Sequence, residues 1–170
     1  MKEIINKVAQ SGIVTIDLEE YYEEGKRMLF DIKPLLFQEL ILKEKDFREY
    51  IKTHNWSEYT GAYVALTCSA DAIVPTWAYM LLTLSLQPFA KKVVYGNLEI
   101  LETVLFQKKI DALDITPYKD ARVVIKGCGN KPVPVAAYVA LTEKLKPIVK
   151  SIMYGEPCST VPLYKKLAQH

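Results

Sequence analysis

The chain has 170 residues, of which 50% are hydrophobic and 25% charged, with a formal net charge of +2. That balance belongs to a folded globular protein and excludes a fibrous or disordered one. The 22 Lys and Arg are scattered among 20 acids, so the dense basic patch that nucleic acid requires is missing.

The N-terminal stretch MKEIINKVAQSG lacks an apolar signal core, which predicts a cytoplasmic protein. Gly12–Leu18 (IVTIDL after a glycine) alternates β-branched residues and predicts a strand. Tyr21–Arg27 is charged, contains Gly25 and reads as a turn. Met28–Ile32 and Leu35–Leu42, separated by Pro34, predict two further strands of an antiparallel appendage. Lys43–His54 places Phe47, Tyr50 and Ile51 at helical spacing.

Downstream, the windows beginning at Tyr59 and Tyr118, each 39 residues long, agree at 14 positions at a constant offset of 59. Chance pairing would give roughly two or three. The matches include Val74/Val133, Pro75/Pro134, Ala78/Ala137, Tyr79/Tyr138, Leu82/Leu141, Tyr95/Tyr154 and Gly96/Gly155. Ala62–Thr67 and Ala121–Lys126 are short apolar runs of the kind found in buried parallel strands. Pro75 and Pro134 suit helix starts, where a missing N–H costs nothing. Each helix runs to Pro88 or Pro147, and Lys91–Tyr95 and Lys150–Tyr154 read as second strands. Leu98–Leu113 predicts a helix joining the copies. The apolar run 72–86 is too short to span a membrane and contains Pro75.

The fold class that follows is α/β. It is a three-layer-like parallel sheet of about four strands, built from a duplicated βαβ unit with right-handed crossovers and helices on its faces. Residues 1–58 form an N-terminal β-rich extension plus helix. Residues 59–170 form the duplicated domain, with repeats 59–97 and 118–156 and a C-terminal tail.

In an open parallel sheet, ligands bind beyond the carboxyl ends of the strands. Cys68 directly follows one repeat strand, Cys128 follows its counterpart after Gly127, and Cys158 follows the last strand. Three thiolates with an oxygen, a histidine or a water suit zinc or an iron–sulfur cluster. Alternatively one thiol is a nucleophile, activated by a helix N-terminus and acting in a thiol-dependent enzyme or persulfide carrier. A third reading makes the cysteines small buried residues of a non-catalytic interaction module. In that reading Trp56, Trp77 and the tail Val161–Leu167 pack on a partner.

Asp71, Asn130, Asp17 and Glu156 are oxygen candidates at the same edge, with Tyr95 and Tyr154 as pocket-lining hydroxyls. Tyr79 and Tyr138, beside alanines inside helices, read as core. Gly127–Gly129 with Gly155 would let backbone approach an anion, but tight turns explain such glycines equally. His54 and His170 are the only histidines, which argues against histidine-dependent chemistry. The repeat aligns Cys68 with Gly127 and Cys128 with Ser69, so the thiols are out of register and any shared site is asymmetric. Helices and sheet edges leave a homodimer open, and nothing points to a membrane partner.

The runs CSADAIVPTWAYMLL, ARVVIKGCGNKPVP and IMYGEPCSTVPLYK, with IDLEEYY and LKEKDFREYIK, resemble the bacterial domain-of-unknown-function family DUF2480 over nearly the whole chain. The resemblance implies no assigned reaction. It does imply an iron–sulfur or sulfur-metabolism protein as a partner.

Overall fold

The computed structural model describes residues 12–156 and 158–168. The N-terminal segment 1–11, most of the stretch read for a signal core, and His170 lie outside them. In chain order the elements are β1 (Ile13–Asp17), β2 (Arg27–Asp31), α1 (Glu44–Thr53), β3 (Tyr63–Thr67), α2 (Thr76–Leu86) and β4 (Lys92–Tyr95). They continue with α3 (Leu98–Ala112), β5 (Arg122–Lys126), α4 (Val135–Leu145), β6 (Ser151–Glu156) and β7 (Ser159–Lys165).

These elements condense into two compact units. One is continuous, residues 24–104; the other is discontinuous, residues 1–23 with 105–170. The expected divide between residues 58 and 59 falls inside the continuous unit, within the 3-10 turn Trp56–Tyr59. No helix among the described residues is long and apolar enough to cross a membrane.

The class is α/β, and both β–α–β repeats are present, as β3–α2–β4 and β5–α4–β6. A parallel-rich sheet of four strands is also present, in the order β1-β5-β6-β7. The four repeat strands do not all share it, however. β3 and β4 lie in a separate three-stranded sheet ordered β2-β3-β4. Each repeat recruits one strand from the N-terminal segment, and both recruits pair in parallel: β1 with β5, and β2 with β3.

The antiparallel appendage therefore does not form. Residues 35–42 are not a strand either: Lys33–Leu35 make a 3-10 turn with Pro34 near its start, and one isolated bridge joins Phe37 to Ile41. Between them Gln38 and Glu39 adopt positive φ (53° and 57°), which ends any extended run. The C-terminal tail includes β7, paired antiparallel with β6.

Register shows that the duplication reaches further than the sequence match. Ile13 partners Arg122 and Arg27 partners Tyr63, so β1 and β2 occupy the same place in their respective units. Both end in aspartate. Asp17 Oδ1 accepts from the amide of Glu19, and Asp31 Oδ1 from that of Lys33, each at 3.0 Å. Each helix turns one stripe inward at a four-residue interval: Ala78, Leu82 and Leu86 on α2, and Ala137, Leu141 and Leu145 on α4. Each fully buried leucine in these stripes contributes about 1.5–3 kcal/mol of burial energy. Val64 and Leu66 meet the first stripe, and Val123 and Ile125 the second.

Candidate functional site

The loop after β5 is set by glycines. Gly127 is buried, and a Cβ there would sit 2.6 Å from Tyr138 Oη and 3.2 Å from Leu18 Cβ. Absence of a side chain at 127 therefore lets the tyrosine hydroxyl lie over the backbone. At Gly129 the neighbour is the carboxylate of Glu19, which also accepts from the Lys131 amide at 2.5 Å. The backbone read as a possible anion cradle thus faces the protein's own carboxylate.

Held between these glycines, Cys128 lies 3.0 Å (Sγ to Oη) from Tyr154 on β6 and 3.7 Å from Tyr138 on α4. The two rings meet edge to face at a centroid distance of 5.8 Å. Hydrogen bonds from Tyr154 first, and Tyr138 second, hold the Cys128 thiol below its ordinary range; slight burial and the charges of Glu19 and Glu156 oppose them. Tyr154 and Tyr138 move upward in turn: the Cys128 contact is the main cause for Tyr154, and burial for Tyr138, followed by Cys128. Tyr138, read from sequence as core, is only half-buried, because its hydroxyl points to the thiol.

These three side chains sit on one wall of a cavity of about 620 Å³ within the discontinuous unit. The size falls in the range of small-molecule sites. Most of the remaining wall is apolar: Ile125, Pro132, Val133, Val135, and Val161 and Leu163 of β7. A thiolate with two phenolic donors in an apolar hollow can attack an electrophile, and the donors can stabilise negative charge on sulfur or on an adjacent oxygen.

The other oxygen candidates are placed differently. Lys126 Nζ lies 3.6 Å from Asp17 and 3.4 Å from Glu156, so this lysine compensates both carboxylates at the ends of β1, β5 and β6. Asp71 and Asn130 are exposed in their loops. Tyr95 lies on a second groove in the continuous unit, 5.1 Å from Tyr79 by ring centroids. His54 packs among Phe30, Tyr50, Trp56 and Tyr59.

The cysteines are divided between the units. Cys68 is partly buried in the continuous unit, with Sγ 3.8 Å from the Ala70 carbonyl. Cys128 and the exposed Cys158, in the β6–β7 turn, belong to the other. Among the described residues, no three His, Cys, Asp or Glu side chains gather in a group that would hold a metal ion.

Sequence reasoning missed Tyr138 as a partner of the thiol. The signal was the exchange of Cys68 for Gly127 at equivalent repeat positions, which frees the space its hydroxyl occupies.

No curated protein and no solved structure matches the chain. The sequence profile of a family described as protein of unknown function (DUF2480) matches residues 2–166, and the chain belongs to that family.

Proposed function

We propose that the protein is thiol-dependent and acts through Cys128, with the cavity of the discontinuous unit receiving an electrophile that has an apolar body. The observation that carries this reading is the contact of Cys128 Sγ with two tyrosine hydroxyls on the wall of that cavity. The sulfur forms a bond to the electrophilic carbon or sulfur, and the leaving group departs with the electron pair of the broken bond. A phenolic hydroxyl or water supplies the leaving group's proton. A persulfide donor is one such electrophile: attack on its outer sulfur leaves a persulfide on Cys128 and releases the donor's thiol. A reducing cytoplasm, which keeps exposed thiols unpaired, suits this reading.

The test is timed alkylation with iodoacetamide and mass mapping of all three cysteines at mildly acidic pH. Cys158 is exposed and serves as the internal reference. Cys128 is expected to react about tenfold faster than Cys158 at that pH, because more of it is thiolate. Tyr154→Phe should remove most of that advantage. Equal rates, or a Tyr154→Phe variant unchanged in Cys128 rate, would sink the proposal.

Zinc or an iron–sulfur cluster bound by Cys68, Cys128 and Cys158 is the competing proposal, and metal and sulfide analysis of anaerobically purified protein separates the two. Stoichiometric metal that is lost on Cys→Ser substitution at each of the three positions would replace the thiol reading.

A further inference from the structure

The offset of 59 carries the thiol cavity onto the second groove, in the continuous unit. Tyr138, Thr142 and Tyr154 of the first correspond to Tyr79, Thr83 and Tyr95 of the second, a hollow of about 830 Å³. The two differ on one side. β6 carries β7 on its outer edge, and Val161 and Leu163 of β7 wall the first cavity. β4 is the equivalent of β6, yet among the described residues it pairs only with β3.

The exposures follow from this difference. Tyr95 is 69% exposed against 37% for Tyr154, and Ile73 (94%), Met80 (63%) and Leu84 (65%) stand open along the same groove. Clustered apolar exposure of this kind marks an interaction surface. The strand itself, Lys92–Tyr95, is four residues long and begins on an exposed lysine, but it contains neither the proline nor the bulge that blocks pairing at an open edge.

We propose that the outer edge of β4 is a strand-acceptor site. It takes an extended segment of a partner polypeptide, antiparallel to β4, whose alternate apolar side chains close the groove as Val161 and Leu163 close the first. The main-chain ladder supplies affinity and the alternating side chains supply selection.

The register of β7 gives the chemistry of the segment. β7 sets Val161 opposite Tyr154 and, past a bulge that leaves Leu163 without a cross-strand partner, Lys165 opposite Ser151. Carried over to β4, an apolar residue faces Tyr95, while the position of Lys165 faces exposed Lys92 in place of Ser151. A lysine opposite a lysine repels, and an acid attracts. A segment that keeps the β7 bulge is therefore apolar-x-apolar-x-acidic, with the second apolar residue at the bulged position of Leu163. This inference stands independently of the thiol reading.

Two labelled peptides test it by fluorescence anisotropy with the full chain: one with the sequence of residues 159–165 (STVPLYK), the other its K165E version. The acidic peptide is expected to bind saturably and about fivefold more tightly than the lysine peptide at low salt. The gap should narrow as salt rises. Met80→Asp and Tyr95→Asp, both at exposed positions, should each weaken binding about tenfold. Val139→Asp, the repeat-equivalent of Met80 in the other unit, should leave it unchanged.

No saturation up to about 1 mM, equal affinity of the two peptides, or indifference to Met80→Asp and Tyr95→Asp overturns the proposal. Self-association of the chain by sedimentation, abolished by Tyr95→Asp, would assign the edge to a second copy and overturn it. An apolar dye held in the groove that the acidic peptide does not displace would assign the groove to a small molecule and overturn it as well.

Discussion

Replacing Gly127 by alanine probes the contact between fold and thiol most directly. The added Cβ would stand 2.6 Å from Tyr138 Oη, where ordinary contact begins near 3.4 Å, so something must yield by about 0.8 Å. Backbone strain is not involved, because Gly127 is not among the residues of positive φ. Leu18 Cβ at 3.2 Å leaves little room on the other side. Overpacking of this kind costs about 1–3 kcal/mol. For a chain of this length each kcal/mol lowers Tm by about 2–4 °C.

The cost should depend on one oxygen atom. In a Tyr138→Phe background the nearest remaining ring atom, Cζ, lies at 3.3 Å, a tight but tolerable distance. Gly127→Ala should then cost at least ~1 kcal/mol less than in the wild-type chain, a coupling that a double-mutant cycle by urea unfolding resolves. In the single variant Tyr138 must also move, so Cys128 alkylation should slow at mildly acidic pH. Equal cost of Gly127→Ala in both backgrounds, or no cost in either, would refute the idea that the missing side chain makes space for the hydroxyl.

Asp31 links the continuous unit to pH. Burial pushes its carboxyl up, but the Ser69 hydroxyl, the amides of Lys33 and Ser69 and the charge of Lys33 together hold it below its ordinary value of 3.8. The stability it contributes is complete above that ordinary value and is lost as pH falls through the lower folded one. Urea midpoints measured from about pH 6 down to about pH 2.5 should fall less steeply in Asp31→Asn than in the wild type, and equal slopes would contradict this. Leu141 and Leu82 are fully buried at equivalent helix positions, so alanine at either should cost about 2–5 kcal/mol by chemical denaturation. A loss under about 1 kcal/mol at either would mean its stripe does not pack as described.

The repeat was legible because its signals are local. Apolar runs mark β3 and β5, and Pro75 and Pro134 stand directly before α2 and α4. Gly96 and Gly155 adopt positive φ at matched positions by β4 and β6. The third strand of each unit could not be found by sliding the chain over itself. β1 and β5 are separated by the whole continuous unit, whereas β2 and β3 lie within it, so no single offset aligns them. Their common sign was the aspartate closing each apolar run, Asp17 and Asp31. β7 was obscured by Pro162, which an edge strand tolerates and a central one does not. At the site, Cys128 could be placed at a strand end from sequence. Tyr154 could be placed there too, as a hydroxyl at the end of a strand, but Tyr138 could not, because a helical tyrosine beside an alanine looks the same whether its hydroxyl meets solvent or a thiol.

The insertion of residues 24–104 between β1 and the rest of its sheet bears on how the chain acquires its structure. The continuous unit closes its sheet over short sequence separations. The other must hold Ile13–Asp17 in waiting until Arg122–Lys126 can pair with them, and contacts so distant in sequence form slowly. Pulse-labelled hydrogen exchange during refolding should protect Val64 and Leu66 before Val123 and Ile125; the reverse order would contradict this. Cys128 then belongs to the late-forming half, and its cavity walls assemble only after the inserted half is already in place.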